Sequence, residues 1–289
     1  MTTTDAKPLP MDQAAGLRNP VRAPRAWSVA VTSGKGGVGK TSLAVNLALA
    51  LAQGGRRTCL LDGDLGLANV DVLLNLQPRY SLRDVVAGVK ALEDVVVTGP
   101  AGLQVIPAAS GVEALANLPA PARRALLARL QGLGSLADVA VVDTGAGLSQ
   151  TVLSLVLAAD EALILTTPEP TALTDAYAMV KVLTLRRSGL PLRFVVNLVE
   201  GVAQAREVHG HLDRIVRRFL HREVPLLGWI PRDGCVERAV REQRPLALYF
   251  PYARATAAIQ GMARTLGRRQ VEEAPGEFWR RLVDPMEAS

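Results

Sequence analysis

Aromatic side chains are scarce: four Phe, four Tyr and three Trp make up only 4% of the 289 residues. Apolar residues still account for 49% of the chain, so a substantial core is available, but it must be aliphatic, built from Leu, Val and Ala. Cysteine is nearly absent. Cys59 and Cys235 lie far apart and fit no metal-ligand spacing, which argues against a cysteine-held metal centre. Cys59, inside the apolar run TCLLD, reads as a buried core thiol. Long apolar runs are missing as well. No stretch approaches the roughly 18 uninterrupted apolar residues of a membrane span, and residues 1–30 hold no signal-peptide core. The expectation is a soluble, cytoplasmic protein. Neither sign of charge dominates: 33 Lys and Arg against 27 Asp and Glu leave a formal +6, which permits an acidic partner such as nucleic acid or lipid without demanding one.

The length suits one large α/β domain or two small ones. Residues 1–25 are rich in Pro and Arg without periodicity, and read as a flexible leader. From Trp27 a strand–turn–helix pattern sets in. WSVAVTS, RRTCLLD, LQVIPA, DVAVVD, EALILTT, RFVVNLV and LLGWIP are candidate buried strands. Helical stretches fall between them, beginning at Thr41 and then near 119–133, 148–158, 171–187, 204–221, 234–243 and 252–268. Short apolar runs alternating with helices predict a mostly parallel, doubly wound sheet flanked by helices on both faces. No internal repeat is visible. EEAPGE then reads as a linker to an end piece, FWRRLV, giving a leader at 1–25, a domain at 26–270 and a tail at 271–289.

The strongest chemical signal is SGKGGVGKTS at 33–42. Gly34, Gly39, Lys40 and Thr41 satisfy G-x-x-x-x-G-K-S/T, with a strand before and a helix after, as a phosphate loop requires. Glycines let backbone N–H groups wrap phosphates, and the helix N-terminus adds a favourable field. Candidate nucleotide contacts are therefore Gly34, Lys35, Gly36, Gly37, Val38, Gly39, Lys40, Thr41 and Ser42. Lys40 should reach the β- and γ-phosphates and Thr41 should bind magnesium. Asp143, ending the apolar strand DVAVVD, is a candidate magnesium ligand, and Asp62 and Asp64 follow the second strand.

A phosphate loop needs one lysine; this one has two. Lys35, directly after the first glycine, makes the pattern K-G-G-x-G-K-S/T, which resembles the deviant Walker A loop of the MinD/ParA ATPases. The resemblance implies a MinD/SIMIBI-like P-loop NTPase fold, ATP with Mg2+ as cofactors, and hydrolysis of ATP to ADP and phosphate within a nucleotide-sandwich homodimer. In that family the extra lysine, here Lys35, reaches the other subunit's phosphates, much as an arginine finger does in trans. The resemblance also makes Asp62 and Asp64 switch I, with Asp64 positioning the attacking water and Asp62 supporting the magnesium shell. Asp143 becomes the Walker B aspartate, followed by Gly145 and Gly147 in switch II. Asn197 matches the asparagine that reads the base, and Pro231 and Asp233 match the I-P-x-D segment beside it. Glu169 and Asp175 fall in the family's interface loop, Asp175 as a candidate partner of Lys35.

DLGLANVDVLL, VIPAASG and TPEPTALTDAY resemble most the FlhG (FleN) branch, regulators of flagellar number and placement. Gly63, Asn75 and Gly145 depart from the usual pattern without removing a reacting group. In that branch the leader carries D-Q-A-x-x-L-R, matched here by Asp12, Gln13, Ala14, Leu17 and Arg18, a segment that stimulates the signal-recognition-type GTPase FlhF. Such a segment suits folding on its partner, and Gln13 could orient a hydrolytic water there. A flagellar transcriptional activator and a switch or C-ring protein are further partners of such a regulator. Phe278, Trp279, Leu282 and Val283 would share one side of a short amphipathic tail helix. That tail either touches membrane peripherally, at the inner face or the cell pole, or packs on its own domain. The rivals are a ParA-like DNA partition ATPase, a MinD-type division-site regulator and a non-hydrolysing adaptor. The DNA reading rests on Arg214, Arg217, Arg218 and Arg222, opposite an apolar stripe of Leu212, Ile215, Phe219 and Leu220, although a solvated basic face is the more common explanation of such a pattern. Nucleic acid is therefore not among the expected partners.

Overall fold

In the computed structural model the described residues are 26–64, 70–107, 137–268 and 278–283. The leader motif and the helix expected near 119–133 lie outside them. Among the described residues eight strands form one sheet: β1 (Trp27–Ser33), β2 (Thr58–Gly63), β3 (Val97–Thr98), β4 (Gln104–Ile106), β5 (Val139–Ala146), β6 (Glu161–Thr166), β7 (Leu192–Val199) and β8 (Leu226–Pro231). The helices are α1 (Lys40–Gln53), three short ones, α2 (Val70–Leu74), α3 (Leu82–Val86) and α4 (Leu92–Val95), then α5 (Gln150–Ala158), α6 (Pro170–Arg186), α7 (Val202–Leu220), α8 (Gly234–Arg241), α9 (Leu246–Tyr249), α10 (Arg254–Gly267) and α11 (Phe278–Val283).

The strand order is β3-β4-β2-β5-β1-β6-β7-β8, parallel throughout except for β3, which runs antiparallel at one edge. β1 and β2 are consecutive in the chain, yet β5 lies between them. The crossover leaving β1 therefore turns one way and the crossover leaving β5 turns the other. A crevice opens at their carboxyl ends, where α/β sheets bind ligands.

Both faces of the sheet are covered, which is why its strands read as unbroken apolar runs rather than alternating ones. Val29, Val31, Leu60, Val141, Leu163 and Leu165 face α1 and α10; Ala30, Leu61, Val142, Ala162 and Ile164 face α5 and α6. α1 is apolar nearly all round, with residues 43–51 buried, because it is sandwiched between the sheet and α10. Each such Leu or Val contributes about 1.5–3 kcal/mol on burial. Cys59 is buried, and desolvation pushes its thiol up to about 12.

Two short elements resolve differently from each other. The two-residue β3 has no period to detect and was not anticipated; the tail offered two fates, and here it packs. Phe278, Leu282 and Val283 are buried in the core on the α5 face. Arg281 donates to Asp160 Oδ1 (2.8 Å) and to the carbonyl of Ala158 (2.9 Å) at the end of α5. Asp160 in turn accepts from the backbone and hydroxyl of Ser28 (2.9 and 2.7 Å). No helix among the described residues is long and apolar enough to cross a membrane.

On α7 the buried stripe is Ala205, Val208, Leu212 and Val216. Phe219, expected within an apolar stripe, is instead 60% exposed, its ring covered by the Arg218 guanidinium at 5.3 Å rather than by core. The basic face is partly committed too. Arg217 pairs with Asp213 (2.6 Å) and Glu223, and Arg222 donates to the carbonyl of Leu190 and to Thr184 Oγ1.

Candidate nucleotide site

The segment 34–39 joins β1 to α1 in the crevice beside β5. Two of its glycines are demanded by geometry. A Cβ on Gly34 would lie 2.3 Å from the carbonyl oxygen of Asp175, so the loop is pressed against α6 where only hydrogen fits. Gly39 sits at φ 94°, in the left-handed region, with the Asn197 amide 2.7 Å from where a Cβ would be. The end of β5 is tied to the end of β1 just before the loop, since the Gly147 N–H donates to the Ser33 carbonyl (3.0 Å) and Thr144 Oγ1 to that of Val31 (3.1 Å).

Lys40 opens α1 and is 8% exposed. Asp62 and Asp143 are direct neighbours across β2 and β5, at 1% and 0% exposure. Desolvation is the main force pushing each carboxyl up to about 7, and the Asp62 charge adds to the rise at Asp143. The Asp64 N–H, donating to Asp62 Oδ1 at 3.1 Å, eases the charge on Asp62; the Thr41 hydroxyl and the Lys40 ammonium ease that on Asp143. Even so, both Asp143 oxygens are buried without a well-formed hydrogen bond. Such a group normally has a partner. A buried pair of carboxylates beside a hydroxyl and a lysine has the chemistry of a site for a divalent cation and phosphates. Thr41, Asp62 and Asp143 could hold Mg2+, and the loop's N–H groups with Lys40 could hold a polyphosphate.

Asp64 stands at the mouth of the site, its carboxylate 3.6 Å from the position of a Cβ on Gly145. A Cβ at position 145 would meet that carboxylate at ordinary contact distance and Val152 Cγ2 more tightly, at 3.3 Å.

Lys35 has a partner that the sequence reading did not assign. The ammonium lies 2.6 Å from Glu169 Oε2 and 2.9 Å from Thr171 Oγ1, at the N-terminus of α6 in the same chain. The Lys35 ammonium beside Glu169 holds that carboxyl below its ordinary range. Asp175 approaches the loop through its backbone, at Gly34, and the Lys35 contact goes to Glu169 and Thr171 instead. Thr171 was not foreseen, and its only signal was its place two residues after Glu169.

Asn197, 9% exposed at the end of β7, donates through Nδ2 to the Val38 carbonyl (2.8 Å) and accepts from the Leu198 N–H (2.8 Å). It thus props the phosphate loop from below. Leu198 takes a left-handed backbone (φ 59°) where the β7–β8 register shifts. Pro231 ends β8, and Asp233 caps α8. Burial works against the Asp233 charge, but the N–H groups of Cys235 (3.0 Å) and Ala255 (3.1 Å) outweigh it and hold the carboxyl below its usual range.

Residues 29–246 match the nucleotide-binding domain of the CobQ/CobB/MinD/ParA proteins. The chain is 43% identical to the antiactivator FleN of Pseudomonas aeruginosa over 235 residues, covering 81% of this chain and 84% of that one. It is 31% identical to the flagellum site-determining protein YlxH of Helicobacter pylori, covering 88% and 89% respectively. Among solved structures it is similar to the septum site-determining protein MinD of Pyrococcus horikoshii complexed with Mg-ADP, at 27% identity and a TM-score of 0.67, covering 84% of this chain and 96% of that one.

Proposed function

The chain belongs to the CobQ/CobB/MinD/ParA family of nucleotide-binding ATPases, and we propose that it is a flagellar regulator that switches by ATP-dependent dimerisation. ATP with Mg2+ draws two copies face to face, and hydrolysis reopens them. Lys40 and the loop N–H groups hold the phosphates; Thr41, Asp62 and Asp143 hold the cation; Asp64 positions the attacking water. Lys35 leaves Glu169 and reaches the phosphates of the second copy. Bound Mg2+ supplies charge neutralisation for the leaving phosphate oxygens.

The observation that supports this reading best is the unlike setting of the two lysines. Lys40 is buried at the base of the site facing Asp143, whereas the Lys35 side chain is 36% exposed at its rim, held only by an exposed carboxylate and a hydroxyl. Exposed ion pairs break at little cost. A lysine so held is available to a partner.

The test is nucleotide-dependent oligomerisation. Asp64→Ala should bind ATP, dimerise and stay dimeric, its turnover falling about a hundredfold as the water loses its anchor. Wild-type turnover, or a variant that stays monomeric with ATP, contradicts the reading.

The flagellar assignment draws on the similarity to FleN and YlxH and on the leader motif Asp12, Gln13, Ala14, Leu17 and Arg18. A peptide of residues 1–24 should raise GTP hydrolysis by an FlhF-type GTPase about tenfold or more, and its Gln13→Ala form should not. No stimulation would remove the leader's role and leave the ATPase reading intact. A transcriptional activator and a C-ring protein are proposed further partners of the dimer. Contact with the inner membrane face or pole would require α11 to leave its seat on α5.

A further inference from the structure

We propose that Ser33 is a positioning residue for Lys35, its hydroxyl holding the backbone from which that lysine reaches the second copy. The inference rests on the role given to Lys35 above. Ser33 is fully buried at the end of β1, and its hydroxyl donates to the Lys35 carbonyl at 2.7 Å. A carbonyl can only accept, so the direction of this bond is fixed.

The backbone around Lys35 is built from the most permissive residue type. Gly34 precedes it, Gly36 and Gly37 follow, and Gly37 takes a left-handed φ of 76°. Glycines lose more conformational freedom than other residues when a loop is ordered. The peptide unit is planar, so gripping the Lys35 carbonyl fixes the whole Lys35–Gly36 peptide. The side chain leaves from the Cα just before that peptide, and the same bond limits where it can point. The ammonium has a second hold, on Glu169 and Thr171. That hold is the one given up when the ammonium moves to the phosphates of the second copy. The Ser33 bond is to the main chain and need not break, so the base of the lysine stays in place while its tip changes partners.

Ser33 is itself anchored from the other side. Its carbonyl accepts from the N–H of Gly147, directly after β5, at 3.0 Å. Gly147 is left-handed, φ 85°, a conformation that glycine adopts without strain. Ser33 and Ala146 are neighbours across β1 and β5, where the register shifts after Val31. Such irregularities re-aim side chains at strand ends. One residue thus joins the end of β5, through its carbonyl, to Lys35, through its hydroxyl. Asp143, the candidate magnesium ligand, lies on the same strand. A shift of this strand end on nucleotide binding would reach Lys35 through two hydrogen bonds.

A buried serine can also place its hydroxyl on a nearby carbonyl for stability alone. That role predicts a lower melting temperature and nothing particular to Lys35. The test therefore measures dimerisation of the full chain by sedimentation, with Mg2+ and a non-hydrolysable ATP analogue, in a double-mutant cycle of Ser33→Ala and Lys35→Ala. Analogue affinity, read by fluorescence on dilute chain, should stay within about threefold of the wild type in both single variants. A larger loss in Ser33→Ala would mean that the serine shapes the loop for its own chain's phosphates, and would overturn the proposal. Ser33→Ala should weaken the dimer about tenfold, one neutral hydrogen bond being lost in each copy. Lys35→Ala should weaken it about a hundredfold, because charged contacts are lost. Since Ser33 acts through Lys35, the double variant should match Lys35→Ala alone within about threefold. Losses that simply add, to about a thousandfold, would make Ser33 a structural residue and overturn the proposal. Ser33→Cys keeps the volume but donates only weakly, so it should weaken the dimer too. A Cys variant like the wild type beside a weakened Ala variant would assign the effect to packing and overturn the proposal. So would a Ser33→Ala dimer as tight as the wild type. A Lys35→Ala dimer as tight as the wild type would instead remove the role of Lys35, and this inference with it. None of these readouts uses turnover.

Discussion

Lys40→Ala should leave a folded chain that no longer holds ATP productively, its turnover falling about a hundred- to a thousandfold and its ATP-dependent dimer disappearing. The lysine is buried at the first position of α1, where the left-handed Gly39 turns the chain into the helix. The loop's other lysine is not placed to take over: Lys35 is engaged at the rim with Glu169 and Thr171. Lys40 also counters the charge on Asp143, so its loss should make the nucleotide-free protein slightly less stable at pH 8 than the wild type. Lys35→Ala should fail differently. It removes an exposed contact and little stability, leaves ATP binding within about threefold, and abolishes turnover because the second copy's phosphates lose their cation. Binding of a fluorescent ATP analogue, phosphate release and melting curves, measured on both variants, separate the two outcomes. Equal losses of ATP affinity in Lys35→Ala and Lys40→Ala would mean that both lysines serve the same chain's nucleotide, and the dimer reading would fall.

The two lysines also show what the sequence could and could not convey. SGKGGVGKTS is local: glycine spacing, strand before and helix after are all within a few residues, so the loop was legible at once. The ends of β2 and β5 were legible for a similar reason, because an aspartate closing an apolar run stands out. That Asp62 and Asp143 are neighbours depends on β5 inserting between β1 and β2, and strand order is not a local property. The Lys35–Glu169 and Asn197–Val38 contacts join residues 134 and 159 positions apart, and only the packing of α6 and β7 against the loop brings them together. Asn197 was read as a base contact; its grip on the loop carbonyl is a contact that composition cannot signal. Of the apolar stripe read on α7, Leu212 is buried and Phe219 exposed, because an apolar period locates a face but does not say how far the covering core extends. The fate of FWRRLV turned on whether α5 offers a groove with Asp160 at its end, a question about a different part of the chain.

Asp143→Asn should abolish turnover, by about a thousandfold, and yet make the nucleotide-free protein more stable at pH 8. The sign follows from the raised carboxyl. Burial pushes Asp143 from its ordinary value of 3.8 up to about 7, so folding favours the protonated form. The stability this brings is complete below the unfolded value and is lost as pH rises through about 7, when the buried group must ionise. Asp62 is raised by burial in the same way, and its charge adds to the rise at Asp143, so the pair should make the nucleotide-free wild type weaker at pH 8 than at pH 5. One pKa unit corresponds to about 1.4 kcal/mol; with the change shared between two coupled neighbours, the asparagine should recover about 2 kcal/mol, a rise of several degrees in melting temperature. At pH 5, above the unfolded value but below the folded one, the gap between the two proteins should be smaller than at pH 8 but still present. Adding Mg-ADP to the wild type should flatten its pH dependence, because a cation beside Asp143 stabilises the ionised form, and should do little for the variant. If Asp143→Asn instead melts lower than the wild type at pH 8 without nucleotide, the carboxylate is making a structural interaction of its own. The buried, unpartnered oxygens of Asp143 would then not be a site kept for a metal ion.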